Sequence, residues 1–114
     1  MPITCFDSSI FCIYSKTMET RLTWDEAKRR INLAKHGLDF ARASAVIESR
    51  YRLDVPVVRK GESRMLSISY VFSFKAVLTV IHTGRDGGAT RIISFRRAST
   101  VEREMYYAWL ENDE

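Results

Sequence analysis

A chain of 114 residues, 46% hydrophobic and 28% charged, has the length of one domain with one small core, and no apolar run approaches the roughly 18 residues that cross a bilayer. Its net charge of +4 is uneven: residues 18–101 carry 16 Lys/Arg against 8 Asp/Glu, whereas residues 102–114 carry one Arg against five carboxylates. A basic body with an acidic tail points to a polyanionic ligand, nucleic acid first, although charge alone leaves open a surface that is merely solvated.

Residues 1–17 differ from the rest, with Asp7 and Lys16 as their only charges and an apolar stretch at 10–14 that no basic segment precedes. That is not the pattern of a signal peptide. The expectation is an N-terminal extension, disordered or outside the native start, with a compact domain over 18–114 beginning at Met18; the alternative is an extra edge strand. Cys5 and Cys12 both fall in this extension, leaving the domain without a disulfide framework and matching a cytoplasmic location.

Residues 22–24 predict a short strand or strand end. Thr23-Trp24-Asp25-Glu26 has the spacing of a capping box with Thr23 as the cap, opening a helix to about His36. Trp24, Ala27, Ile31, Ala34 and Leu38 recur at steps of three and four, which predicts one apolar stripe. Gly37 suits a left-handed helix end, and Asp39 can cap a second helix over about 40–49, with Phe40, Ala43, Val46 and Ile47 turned inward.

Residues 51–58 predict an edge strand, because Pro56 cannot donate to a ladder. Residues 64–72 alternate: Leu66, Ile68, Tyr70 and Phe72 on one side, Ser67, Ser69 and Ser73 on the other, the pattern of a half-buried antiparallel strand. Residues 75–83 are almost wholly apolar and predict a central strand, and a glycine-rich loop at 84–88 leads to a strand at 90–97. Ser99-Thr100-Val101-Glu102 is a second capping box, opening a helix to about Leu110. The expected fold class is α+β: a twisted antiparallel sheet of about four strands with two N-terminal helices and a C-terminal helix, the helices against one face. The core expected from these patterns is Trp24, Leu66, Ile68, Tyr70, Leu78, Val80 and Ile93.

Several chemistries are excluded. The 84–88 loop lacks the Lys-Ser/Thr of a phosphate loop, no serine sits in a nucleophile elbow, and the scattered carboxylates with only His36 and His82 form no metal cage. No metal and no cofactor are expected. What remains is cationic. Lys28, Asn32, Lys35 and His36 share a polar helix face, Glu62 and Arg64 flank the start of a strand, and Arg91, Arg96 and Arg97 crowd the last one. Arg29 and Arg30 read as solvated, and His82 as a satisfied core or edge histidine. In a regular strand Arg91 and Arg96 face opposite ways; unless a bulge intervenes, Arg91 serves a partner or an ion pair.

Three fragments together carry a resemblance. They are Trp24-Asp25-x-x-Lys28-x-x-x-Asn32-x-x-Lys35-His36-Gly37-Leu38-x-Phe40-x-x-Ala43, then Glu62-x-Arg64, then Arg91-Ile92-Ile93-Ser94-x-Arg96-x-Ala98-x-x-x-Glu102-Arg103-x-x-Tyr106. In this order and spacing they resemble the BrnT family of toxins. The resemblance implies a fold related to the RelE/ParE-type toxins and the toxin of a type II toxin–antitoxin system, an endoribonuclease that cleaves RNA and slows translation. It also implies neutralisation by a BrnA-like antitoxin, operator DNA reached only through that antitoxin, and room for a homodimer within the complex.

Metal-free RNA cleavage needs a base for the 2′-hydroxyl proton, a cation for the phosphorane and an acid for the leaving 5′-oxygen. On that chemistry His36 or Glu62 is expected to move protons, with Arg64 and Arg96 on the phosphate and Lys28, Lys35 and Arg97 holding RNA. The alternative is a non-catalytic basic module that binds RNA or a partner and acts only in operon autoregulation.

Overall fold

The computed structural model describes residues 21–84 and 88–112. The expected extension at 1–17, both cysteines and most of the glycine-rich loop lie outside the described residues. In chain order the elements are β1 (Leu22–Thr23), α1 (Glu26–His36), a 3-10 turn (Phe40–Arg42), α2 (Ser44–Ile47), β2 (Leu53–Arg59), β3 (Glu62–Val71), β4 (Ala76–Gly84), β5 (Thr90–Arg97) and α3 (Thr100–Asn112).

The strands form one sheet in the order β1-β5-β4-β3-β2. β1 joins β5 in parallel, Leu22 opposite Thr90 and Thr23 opposite Arg91, and every other pair is antiparallel. The expected four-stranded antiparallel sheet is therefore a mixed one of five. Two residues of β1 carry too little periodicity to reveal a pairing partner at the far end of the domain. β2 lies at the opposite edge, with Pro56 facing Met65, as its ring requires.

Helix ends obey local chemistry. Thr23 sits in β1 and does not cap α1; Asp25 does, its carboxylate accepting from the amides of Ala27 (2.9 Å) and Lys28 (3.4 Å). A carboxylate two residues further on outcompetes the hydroxyl because the positive end of the helix favours its charge. Gly37 closes α1 in the left-handed region (φ 72°), its amide bonded to the Leu33 carbonyl. Asp39 caps the 3-10 turn through the Ala41 amide, but the expected second helix breaks into that turn and the one-turn α2. The Ser99–Glu102 box closes both ways: the Ser99 amide donates to Glu102 (2.9 Å) and the Glu102 amide to the Ser99 hydroxyl (3.1 Å).

Helices cover both faces of the sheet, not one. On the first face Leu38, Phe40, Ala43 and Val46 pack on Val71, Leu78, Val80, Ile92 and Phe95, with Trp24 half-buried against Phe40. On the second, Tyr106 of α3 joins Ile68, Val77 and Ala98, with Leu53, Leu66, Trp109 and Leu110 around them. Ser67 and Ser69 are consequently buried rather than solvated, and each hydroxyl finds a side-chain partner: Asp54 for Ser67, Ser49 for Ser69. Of the expected core, Ile68, Leu78 and Val80 are buried, Trp24, Leu66 and Ile93 are half-buried, and Tyr70 reaches solvent.

The apolar stripe assigned to α1 also fails, since Ile31 is 65% exposed and the residue that α1 buries is Asn32. α1 runs along the edge of β5 beyond the reach of β1, where the strand's own peptide groups need partners. Asn32 supplies them: its amide nitrogen donates to the carbonyls of Phe95 (2.7 Å) and Leu38 (3.0 Å), and its oxygen accepts from the Phe95 amide (3.2 Å). One side chain thus replaces a neighbouring strand.

Candidate active site

β4 and β5 do not pair evenly. Ile81 faces Ser94 but His82 faces Ile92, so Ile93 is the extra residue of a bulge. Arg91 stands opposite Thr83 and Arg96 opposite Thr79, and those two threonines lie four residues apart on regular β4, on one face. The bulge therefore turns Arg91 to the same side as Arg96, and it lets Ile92 and Phe95, three apart, enter one core. By the same register Glu62 and Arg64 of β3 belong to that second face, with Arg64 in the row of Thr83 and Arg91.

Two adjoining hollows result. One, of about 120 Å³, is lined by Lys28, Glu62, Arg64, Thr83, Arg91 and Ile93. The other, of about 190 Å³, is lined by Lys28, Ile31, Asn32, Lys35, His36, Ile93 and Ser94. They share Lys28 and Ile93 and make one cleft between α1 and the open end of the sheet. Four cations face one carboxylate there: Lys28, Lys35, Arg64 and Arg91 against Glu62. The Glu62 carboxylate accepts from the Arg64 Nη2 (2.8 Å) and Nε (3.2 Å), which holds the guanidinium in a fixed orientation.

The cleft thus gathers five of the seven expected residues: His36, Glu62, Arg64, Lys28 and Lys35. Arg96 is not among its lining. It forks onto Glu102 of α3, Nη1 to Oε1 at 2.8 Å and Nη2 to Oε2 at 2.9 Å, and Thr79 donates a third bond to the same carboxylate. Arg96, helped by the Ser99 amide and Thr79, holds the Glu102 carboxyl down at about 2 against its burial. Arg97 is exposed at the other side of the sheet, opposite Leu78 of the first core. Arg29, expected to be solvated, pairs with Glu26 (2.6 Å) and Asp39 (3.1 Å) and ties α1 to the turn after it.

Sequence reasoning left Arg91 without a site and missed Thr83. The one available signal was the run Arg91-Ile92-Ile93-Ser94-Phe95, whose apolar residues at 92, 93 and 95 break strict alternation. His82 lies on the first face, buried, its Nε2 2.8 Å from the Ser67 hydroxyl. That hydroxyl donates to Asp54 (2.7 Å), so His82 must carry its proton on Nε2 to complete the chain. Burial, then Arg52, hold the imidazole below its ordinary range, opposed by Asp54. It lies on the opposite face of the sheet from the cleft, in a hollow whose lining also includes Arg52, Asp54, Arg64 and Thr83. Among the described residues no three His, Cys, Asp or Glu side chains gather as a metal site.

The family described as "Ribonuclease toxin, BrnT, of type II toxin-antitoxin system" matches residues 24–102, from Trp24, just before α1, to Glu102. A crystal structure of the Brucella abortus ribonuclease toxin BrnT superposes with a TM-score of 0.52 at 31% identity, covering 72% of this chain and 100% of that one. A search of curated proteins returns no match. The matched span contains every residue of the cleft, and the chain belongs to the BrnT family of type II toxin–antitoxin ribonuclease toxins.

Proposed function

We propose that this chain is the toxin of a type II pair, a metal-independent endoribonuclease of RelE/ParE-like fold that cuts RNA in the α1–sheet cleft and thereby inhibits translation. The observation that carries the reading is the convergence of Lys28, Glu62, Arg64 and Arg91, from α1, β3 and β5, in one hollow of a chain of this family.

The chemistry proceeds from those groups. The 2′-oxygen attacks the adjacent phosphorus as a base takes its proton. Glu62 takes that role as the carboxylate of the hollow, held in place by its bonds from Arg64. Charge that builds on the phosphorane oxygens is met by Arg64 and Arg91, two forks that stay protonated. The bond to the 5′-oxygen then breaks, a proton from His36 or water completes the new 5′-hydroxyl, and a 2′,3′-cyclic phosphate remains. Lys28 and Lys35 hold neighbouring phosphates along α1. Arg96 serves the sheet–helix joint instead, a departure from the sequence expectation that its pairing with Glu102 motivates. A BrnA-like antitoxin neutralises the protein in the cytoplasm and carries it to operator DNA.

The test is cleavage of a defined RNA by the purified protein in EDTA, with growth arrest on induction relieved by co-expression of the antitoxin. Expected products end in cyclic phosphate. RNA that is bound but left intact would establish the non-catalytic binding module.

A further inference from the structure

Some 20 Å along β3 from the cleft, at six residues of about 3.4 Å between Arg64 and Tyr70, the same face of the sheet ends in a second hollow. Its volume is about 620 Å³, and its lining includes Tyr51, Tyr70, Phe72, Tyr106, Tyr107 and Leu110. Tyr106 is committed to the fold. Its hydroxyl donates to the Tyr51 carbonyl (2.8 Å) and accepts from the Tyr70 amide (3.2 Å), fixing the floor where β2, β3 and α3 meet. The rim is not committed: Phe72 is 85% exposed, Tyr51 59% and Tyr107 46%. Phe72 opens a four-residue turn before β4, a place where a polar residue would serve the fold as well, and it meets Tyr70 edge to face at 5.4 Å. Aromatic side chains held on a rigid base but left in water are the composition of a binding hot spot.

The charge beside this rim selects the partner. Glu104, Tyr107 and Glu111 succeed one another at steps of three and four on α3 and line one adjoining hollow. Both glutamates are exposed, and neither is ion-paired among the described residues. Phosphates laid across the aromatic rim would meet these carboxylates; the cations lining the two hollows are Arg50 and Arg103, and Arg103 is turned toward the start of α3, donating to the Ala98 carbonyl and the Thr100 hydroxyl. An RNA strand is therefore disfavoured, and a protein segment with apolar side chains flanked by Lys or Arg is complementary.

We propose that this groove is the docking site of the antitoxin, which inserts an apolar segment between Phe72, Tyr51 and Tyr107 and sets basic side chains on Glu104 and Glu111. The proposal rests on the reading of the chain as the toxin of a toxin–antitoxin pair. Anchored here, the partner leaves the cleft open unless a second segment runs along α3 toward β5. The groove then supplies affinity, and the second segment blocks RNA.

The experiment measures binding of the purified full chain to the antitoxin protein encoded by the neighbouring reading frame, by calorimetry, for the wild type, for Phe72→Ser with Tyr107→Ser, and for Glu104→Lys with Glu111→Lys. All four side chains are exposed, so both double variants should fold, which circular dichroism checks. Each should weaken the complex at least tenfold, the charge-reversed one most at low salt, with RNA cleavage unchanged and growth arrest no longer fully relieved by the antitoxin. Wild-type affinity in both variants overturns the groove while leaving the toxin–antitoxin reading standing. Failure of the wild type to bind overturns both. A loss of RNA binding, or of self-association by the chain alone, assigns the groove to RNA or to a second copy and overturns the proposal as well.

Discussion

Removing Arg96 should cost stability rather than chemistry. In Arg96→Ala the Glu102 carboxylate loses two charge-assisted bonds, at 2.8 and 2.9 Å, but keeps those from Thr79 and the Ser99 amide. The pair is neither surface nor core, with side chains 26% and 13% exposed. Exposed pairs contribute up to ~1 kcal/mol, and breaking a fully buried one costs ~3–5 kcal/mol. The cost expected here is intermediate, about 2 kcal/mol, or about 10 °C in Tm for a domain of this size. The pH dependence is specific. Glu102 is held at about 2 in the folded chain against 4.5 ordinarily, so its contribution is complete above pH 4.5 and is lost as pH falls through 2. The stability gap between wild type and Arg96→Ala should accordingly be constant from pH 7 to 5 and narrow below pH 4. Urea titrations at pH 7, 5, 4 and 3 measure it, alongside RNA cleavage at pH 7 and a temperature where both proteins are folded. A variant as stable as wild type at pH 7 but unable to cut RNA would refute the reasoning and return Arg96 to the active site.

Arg64→Ala and Arg91→Ala should each lower kcat for RNA cleavage by roughly 10²–10³-fold, as loss of a transition-state charge partner does, with circular dichroism unchanged; undiminished turnover in both would remove them from the site. Lys28→Ala should weaken RNA binding and reduce its log–log salt slope by ~0.7, the share of one single-strand phosphate, whereas Arg30→Ala, 75% exposed in its side chain, should leave the slope alone. Asp25→Ala should cost ~1 kcal/mol in denaturant titration and Thr23→Ala almost nothing, reversing the expectation from the sequence, because the carboxylate is the cap.

The features legible in the sequence were local. Gly37, Asp39 and the Ser99–Glu102 box marked helix ends through bonds spanning a few residues, and the strands at 90–97 and 76–84 announced themselves by composition. Alternation in β3 was read correctly as a strand and wrongly as half-solvated, since hydroxyls can be buried once Asp54 and Ser49 accept from them, and those partners are 13 and 20 residues away. The cleft was half legible for the same reason. His36, Lys28 and Lys35 lie on one helix and Glu62-x-Arg64 on one strand, so spacing finds each group. That the two groups meet depends on Asn32 fastening α1 to the edge of β5, 63 residues distant.

The bulge at Ile93 carries this furthest. A strict two-residue period would send Arg91 to the first face, into the core that Ile92 occupies instead, and leave Arg64 and Glu62 without a second guanidinium across the cleft. One extra residue reverses the strand's phase between Phe95 and Arg91. It costs β5 one regular ladder position and sets Ile93 half-exposed in the cleft wall. In packing terms it places Ile92 and Phe95, three residues apart, in one core. The same irregularity brings a positive charge to the side of the Glu62–Arg64 pair. For this reason Arg91, set aside by alternation, is the residue whose substitution tests the cleft most directly.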